Sequence, residues 1–554
     1  MSLHPVSSYR VPELTARVAR AAFPKGTLCL RLYDELGTIF TDHDFAELFA
    51  QRGQPAEAPF RLALITVLQF LEGLSDRQAA DAVRARIDWK YLLCLDLDDP
   101  GCDYSILCEF RARLLAGGVE HKLFDLVVDR LREHRLLKAR PRQRTDSTHV
   151  LAAVRDLNRL EKVVETLRAT LNVLATVAPD WVRMHLPLEW VERYRRRAED
   201  YRLPQEAKAR ERLAEQVGTA GHRLLELLWS PTEPTWLRSV PAVETLRQIW
   251  VQNFLLMEGV VGWRQNDNVP PARFRLSSPY DVDVRYAHKR SVTWVGYKVH
   301  LTETCEEALP NLITHVQTDE AVLNDNHALP QIHRQLAERQ LLPSRHLVDA
   351  GYIEAQQLIE SREEYGVDLI GPAQSNGRWQ QVQGKGFDIS HFQIDWDKQQ
   401  AVCPQGKCSS SWRPQRDGRG NAVINVVFAK ADCSQCPSLS QCTTAKGKRR
   451  SINLRPRELH EVLQQTRQRV QTAEFKAEHQ KRAGVEGTIS QAVRAFGLRQ
   501  ARYIGKAKTH LQHLATAAAI NLERVADWFA GVKRETTRRS AFVRVMRPLL
   551  TTPQ

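Results

Sequence analysis

The apolar positions change period several times along the chain, and each change marks an element. From Phe60 to Leu74 the segment FRLALITVLQFLEGL, entered at Pro59 and closed near Gly73, is apolar on nearly every side, which predicts a buried helix. Ser75 then stands as an N-cap before DRQAADAVRARI, with Asp76 at the positive end of that helix dipole. A third segment, DYSILCEFRARLL, sets Ile106, Phe110 and Leu114 on one face and Arg111 on another. Residues 1–135 thus predict an all-helical domain whose three short helices, the last of them basic, suit a helix-turn-helix-like DNA reader. Its alternative is a plain helical bundle.

Residues 136–152 (KARPRQRTDSTHVLAAV) are a basic lead-in to a short β-forming segment with Asp146 in its middle. Helical periodicity returns over 153–284, with charge runs such as ERYRRRAEDYR, and predicts a long helical insertion. From 291 the period becomes that of strands. SVTWVGYKVHLTET alternates, turns at an acidic stretch, and leads into LPNLITHVQTD, a hairpin signal. A helix over about 323–340, the short strand HLVDAGY with Asp349 at its end, a helix over about 353–365 and the strand VDLIGPA follow. This order predicts an α/β core with a mixed sheet, assembled from 136–152, 285–375 and the helical stretch 456–530. Residues 376–455 are polar and rich in Gly and Cys, a separate small module, and 531–554 form a basic tail.

Composition narrows the class. With 554 residues, 43% hydrophobic and 26% charged, the chain reads as a soluble globular protein of two to four domains. It has no run of 18 apolar residues, and Met1–Arg20 lacks the layout of a signal peptide, so a cytoplasmic protein with no membrane partner is expected. The net charge of +14 is localised: Thr443–His510 holds 16 Lys/Arg against 5 Asp/Glu, and Leu511–Gln554 holds 7 against 3. The rest of the chain is therefore close to neutral. A concentrated basic segment points to a polyanion, nucleic acid first, against the alternative of a solvated basic helix face.

Asp146 and Asp349 sit in or at the end of short strands, where carboxylates converge on a hard cation such as Mg²⁺. The third acid is Glu486, within HQKRAGVEGTISQAVRAFGLRQARYIGKAK. On that helix Arg482 stands one turn earlier, His479 about two turns earlier, and Arg494 near the same face. Two ions roughly 3.5–4 Å apart on such acids can activate a water or a 3′-hydroxyl against a phosphodiester. Asp319 and Asp325 are rival ligands.

Taken together, TDSTHV (145–150), GYKVHLTET (296–304), HLVDAGY (346–352) and RAGVEGTISQAVRAFGLRQARYIGKAKTHLQ (482–512) resemble the DDE transposases of bacterial insertion sequences. Pro59–Leu115 looks like the helical domain at the start of many of them. The resemblance implies a ribonuclease H-like catalytic core, Asp146, Asp349 and Glu486 as catalytic acids holding two Mg²⁺ (or Mn²⁺) ions, and Mg-dependent end cleavage and strand transfer. It implies double-stranded DNA as partner, both terminal inverted repeats and target, and a homodimer on DNA. Arg111 and Arg113 would help read the repeats, while Arg482, Arg494, Arg499, Arg502, Lys506 and Lys508 would neutralise phosphates. Tyr503 would stack on a base or bond a phosphate, or else be buried in the helix packing. The family's Tyr-Arg-Lys pattern around the Glu is only partly kept: Arg482 fits, but His479 takes the tyrosine place and Val493 the lysine place, beside Arg494. Two rival functions stay open, a transposase-derived DNA-binding protein without catalysis and a metal-dependent nuclease without strand transfer.

Ten cysteines are present, five of them in the pattern C-x4-C-x24-C-x2-C-x5-C from Cys403 to Cys442. The Cys433–Cys436 knuckle can present two thiolates to one tetrahedral ion, and a polar module of this size needs a staple. Cys403-Pro404-Gln405-Gly406 and Cys436-Pro437 resemble pieces of related transposases. A zinc-ribbon-like structural Zn²⁺ site on Cys403, Cys433, Cys436 and Cys442 is expected, with Cys408 the alternative to Cys403.

Overall fold

The computed structural model describes residues 2–532 except 7, 374–378, 383–385 and 419, together with Phe542. The basic tail expected over 531–554 falls almost entirely outside these residues. The first strand, β1 (Arg142–Leu151), becomes the centre of a six-stranded sheet. The helical insertion that follows it is built on Arg159–Val177, Ala207–Leu228 and Pro241–Asn253, and ends in an unforeseen hairpin, β2 (Phe254–Met257) and β3 (Val260–Trp263). It has its own core, in which Val163, Leu167, Leu224, Leu246 and Ile249 are fully buried. Gly218 and Gly221 let the Phe254 ring and the Trp250 indole lie against the backbone of helix Ala207–Leu228, where Trp250 Nε1 donates to the Gly218 carbonyl at 2.8 Å.

The chain then returns to the sheet through β4 (Arg285–Lys289), β5 (Val292–Thr304), β6 (Ile313–Glu320), β7 (Arg345–Leu347) and β8 (Asp368–Ile370). The order is β4-β5-β1-β7-β8, with β6 pairing β5 beyond β4. β5 is antiparallel to β1, β4 and β6, while β7 runs parallel to both β1 and β8. This mixed α/β sheet fits the ribonuclease H-like core that the resemblance implies. The edge strand β4 gave no clear signal in the sequence. At Gly296 the β1–β5 pair is so close that a Cβ would come within 2.0 Å of the Val150 carbonyl oxygen, so no larger residue fits there.

The Cys-rich module lies between β8 and the helix Arg457–Gln471. It holds a hairpin of β9 (Gln393–Asp395) and β10 (Gln400–Val402) and an antiparallel sheet of β11 (Ser409–Arg416), β12 (Ala422–Phe428) and β13 (Ser451–Leu454). Phe392, Val426, Phe428, Ile452 and Leu454 form its small core.

The N-terminal helices do not stand apart. Helix Pro59–Glu72 is buried almost from end to end, and it packs with Leu28–Leu36 and Lys122–Glu133 against the long helix Lys506–Phe529, whose other side lies on β6. Phe60, Leu68, Leu131, Leu514, Ile520 and Ile313 belong to one continuous core. Burying each such side chain stabilises the fold by about 1.5–3 kcal/mol. The helices expected over 1–135 therefore share one apolar core with the helix Lys506–Phe529. Pro59–Glu72 is so uniformly hydrophobic because its partner comes from the far end of the chain. Among the described residues no helix is long and apolar enough to cross a membrane.

Candidate active site

The register of two strands sets the first pair of acids. β1 and β7 are parallel, with Arg142 beside Arg345 and Arg144 beside Leu347. Carried two residues further, this register puts Asp146 beside Asp349, just past the end of β7. Asp349 is fixed by its Oδ1, which accepts the Gly351 N–H at 2.8 Å, and Asp146 by its Oδ1, which accepts the Ser147 N–H at 2.8 Å. Burial raises the Asp146 carboxyl above its usual range and Asp349 adds to the rise, against the Ser147 N–H and Arg482.

Glu486 joins them through Arg482. The Arg482 Nη1 donates to Asp146 Oδ2 at 3.0 Å and its Nη2 to Glu486 Oε1 at 2.7 Å. Glu486 is the exposed member, with 60% of its side chain accessible against 17% for Asp146. Asp146, Ser147, Thr148, Glu486, Arg494 and Arg499 border a cleft of about 320 Å³, and Arg499 Nε donates to Thr148 Oγ1 at 2.8 Å. Arg482 thus links Asp146 to Glu486, and Asp349 lies beside Asp146 by register.

Of the two rivals, Asp325 belongs to the same cluster. A Cβ at Gly351 would lie 3.0 Å from Asp349 Oδ1 and 3.2 Å from Asp325 Oδ2, so the small residue leaves room for two carboxylates. Asp325 Oδ1 accepts from Lys298 Nζ at 2.9 Å and from Ser147 Oγ at 3.0 Å. Burial pulls its carboxyl upward, but Lys298, His300 and Lys289 outweigh it and hold it below the usual range. Asp319 instead engages Gln317 and His300.

The helix under Glu486 is held from below by a buried charge network that sequence reasoning missed. Arg144, Asp146 and Thr148 share a face of β1 with Leu301 and Glu303 of β5, and helix Gly484–Ala495 crosses that face. Glu303 is fully buried. It accepts from Arg144 at 2.7 Å, Arg524 at 2.8 Å and Thr488 at 2.6 Å. Arg144 also donates to the Lys481 carbonyl at 2.6 Å. That carbonyl is diverted from regular helix bonding, and Lys481–Ala483 is a 3₁₀ turn between helices Ala473–Gln480 and Gly484–Ala495. The continuous helix expected through His479 and Glu486 is corrected accordingly. The available signal was Glu303 itself, a charge in an apolar strand that demanded a partner.

Gly484 is required by the same network, since a Cβ there would lie 2.0 Å from Arg144 Nη1. Arg144 cannot retreat without breaking its bonds to Glu303 and Lys481. Gly484→Ala is expected to destabilise the protein by about 1–3 kcal/mol, read as a lower midpoint in urea unfolding; an unchanged midpoint would show that Arg144 yields freely.

Several expected DNA contacts are spent inside the protein. Arg111 is 5% exposed, pairs with Asp76 at 2.6 Å and reaches Gln69, so it holds helices together instead of reading DNA. Its guanidinium lies 5.5 Å from the centre of the Tyr503 ring, which is packed against the core. Arg113 lies over the Phe49 ring and points to the Leu48 carbonyl. His479 stacks on Phe475 and bonds the Val348 carbonyl at 3.0 Å, anchoring its helix beside Asp349. Arg502 donates to the Leu74 carbonyl and covers Phe70, tying the N-terminal layer to the core. Arg494 and Lys508 are exposed and Lys506 is half-buried.

In the module, Cys403, Cys433, Cys436 and Cys442 line one cavity of about 290 Å³. Cys408 is exposed and pairs through its backbone with Val402, outside that lining. Burial raises the Cys442 thiol, and Cys433, Cys403 and Cys436 add to the rise. Among the described residues, no group of three or more His, Cys, Asp or Glu is arranged to hold a metal ion, at this cavity or at the acids.

A family model described as a transposase DDE domain matches residues 402–526, and one described as a transposase domain (DUF772) matches residues 18–113. The first spans Glu486 and the cysteine quartet, while Asp146 and Asp349 lie outside both. No curated protein and no solved structure matches the chain. The chain thus carries a stretch similar to a transposase domain ahead of one similar to a transposase DDE domain, and together they support a DDE transposase of the insertion-sequence type.

Proposed function

We propose that the protein cuts DNA at the ends of an insertion sequence and joins the freed ends to target DNA, with Asp146, Asp349 and Glu486 as its catalytic acids. The observation that carries this is the side-by-side register of Asp146 and Asp349, with Glu486 bound to the first of them through Arg482. Hard carboxylate oxygens beside a cleft open to solvent are the donor chemistry that Mg²⁺ or Mn²⁺ takes, although among the described residues the acids are not gathered around one point. Such ions, two of them when bound, would lower the pKa of an attacking water or 3′-hydroxyl and stabilise the leaving oxygen. Arg482 pairs with two of the acids, and its guanidinium is the cation nearest to them for a phosphate. Arg494, Arg499, Lys506 and Lys508 supply further phosphate contacts and orient the strand over the acids. Lys298 keeps Asp325 paired and out of the ligand set. A homodimer, each copy holding one end, would keep the two cuts together.

The test is incubation with element-end DNA and Mg²⁺. Nicked ends followed by joined product support the reading; cleavage with no joining under any condition leaves a nuclease, and neither product leaves a DNA-binding protein.

For the module we propose one structural Zn²⁺ on Cys403, Cys433, Cys436 and Cys442. Four thiols on one cavity, in a unit whose apolar core is a handful of side chains, are the donor chemistry and the need for a staple together. Elemental analysis is expected to find one zinc per chain, lost in Cys433→Ser and retained in Cys408→Ser. Zinc lost in Cys408→Ser but kept in Cys403→Ser would exchange those two ligands, and no zinc in the wild type would end the assignment.

A further inference from the structure

The tight turn between β4 and β5 stands at the edge of the acid cluster, and the cleavage chemistry leaves it without a task. The last pair of the ladder is Lys289 with Val292, leaving Arg290 and Ser291 as a two-residue loop. All six residues from His288 to Thr293 are exposed. Lys289 Nζ lies 3.5 Å from Asp325 Oδ2 while more than half of its side chain remains accessible. Arg290 makes no hydrogen bond or ion pair among the described residues. Its φ of +59° puts it in the left-handed region, at the loop position where a two-residue hairpin ordinarily uses glycine. A long, exposed cation kept in a strained conformation, next in the chain to one that touches Asp325, does not serve the fold.

Its neighbours complete a track. Burial, then Arg499 and Lys289, hold the His149 imidazole below its usual range, so both cations stand close to that ring. His149 itself packs against Trp294 of β5, with ring centres 5.4 Å apart. Arg494 and Arg499 border the cleft beside Glu486, and Lys289 reaches Asp325, with Arg290 next to it in the turn. A nucleic-acid strand placed over the acids would have its phosphates within reach of these cations.

We propose that the β4–β5 turn is a further DNA-backbone contact, in which Lys289 and Arg290 grip the phosphates of duplex DNA beside Asp325. This rests on the reading of the acid cluster as a phosphodiester site. Lys289 pairs with Asp325 in the free protein and exchanges that partner for phosphate. The contact carries no base recognition, so it acts alike on element ends and target DNA.

The test uses the full-length protein and a mixed-sequence DNA duplex in EDTA, with binding followed by fluorescence anisotropy over a salt series. The double variant Lys289→Ala/Arg290→Ala is expected to bind roughly tenfold or more weakly at moderate salt. Its slope of log affinity against log salt should be shallower by about 0.9 for each phosphate no longer neutralised. Arg183→Ala removes an exposed charge from the insertion and is expected to leave the slope unchanged. Arg290→Gly relieves the backbone strain, so it should weaken binding while keeping or raising the melting temperature. Wild-type affinity and slope in the double variant would overturn the proposal, as would an equal loss in Arg183→Ala. Failure of the wild type to bind DNA would overturn the function on which it rests, whereas normal wild-type binding with an inert turn would overturn the turn alone.

Discussion

Asp146→Asn, Asp349→Asn and Glu486→Gln should each lower DNA-end cleavage by at least about a hundredfold, because losing even an outer-shell partner of a metal ligand costs ~10–100-fold. The amides keep the shape of each side chain and remove the charge that a cation needs. Folding should survive, since Glu486 is exposed and Asp146 is partly accessible beside Arg482. The measurement is nicked product in a single turnover with Mg²⁺, with melting curves as the folding control. Near wild-type cleavage by any one variant would remove that residue from the site. Asp325→Asn separates the two neighbouring carboxylates: with Lys298 and Ser147 on its Oδ1, Asp325 is expected to matter for stability and only mildly for cleavage. A folded Asp325→Asn that is inactive, beside an active Asp349→Asn, would exchange their roles.

The second large effect lies beneath the site. Glu303→Ala would leave Arg144 and Arg524 facing each other without their shared carboxylate, and breaking a buried pair from one side costs about 3–5 kcal/mol. Burial pushes the Glu303 carboxyl upward, but Arg524 and Arg144 outweigh it and hold it below the ordinary value of 4.5. The folded value is thus below the unfolded one. Glu303 therefore contributes its stabilisation in full above about pH 4.5, and that contribution fades as the pH falls through the depressed value. Urea unfolding of Glu303→Ala near neutral pH should show the loss, and the gap from wild type should narrow in acid. A gap that does not depend on pH would mean that the network stabilises by packing and not by charge. Because Arg144 also holds the Lys481 carbonyl, Glu303→Ala should reduce cleavage through a displaced Glu486, in whatever fraction remains folded.

What the sequence made legible was periodicity and interruption. The hairpin of β5 and β6 and the strand leading to Asp349 could be read from alternation, whereas the three acids as a set, Asp146 above all, came from the family resemblance. The side-by-side placement of Asp146 and Asp349 could not be read, because it depends on a β1–β7 register between segments some 200 residues apart in sequence. Arg111 shows the opposite limit. Helical spacing set it apart from Ile106, Phe110 and Leu114, yet it is buried together with Phe110 and Leu114, and nothing local revealed that Asp76 and Tyr503 would lie against it. The break at Lys481–Ala483 was hidden for a similar reason, since it comes from a guanidinium of β1 capturing a helix carbonyl. Periodicity fixes which face a side chain occupies; what covers that face is a tertiary matter.

The packing of Pro59–Glu72 against Lys506–Phe529 also governs how the protein is born. More than 430 residues separate the two helices in the order of synthesis, and at roughly 5–20 residues per second a ribosome takes about 20–90 s to cross that interval. For that time Phe60, Leu64 and Leu68 lack their permanent cover, and a nascent chain must be shielded or collapse provisionally. A message cut short before residue 506 yields a polypeptide whose N-terminal helices can pack on one another but leave the face meant for Lys506–Phe529 uncovered.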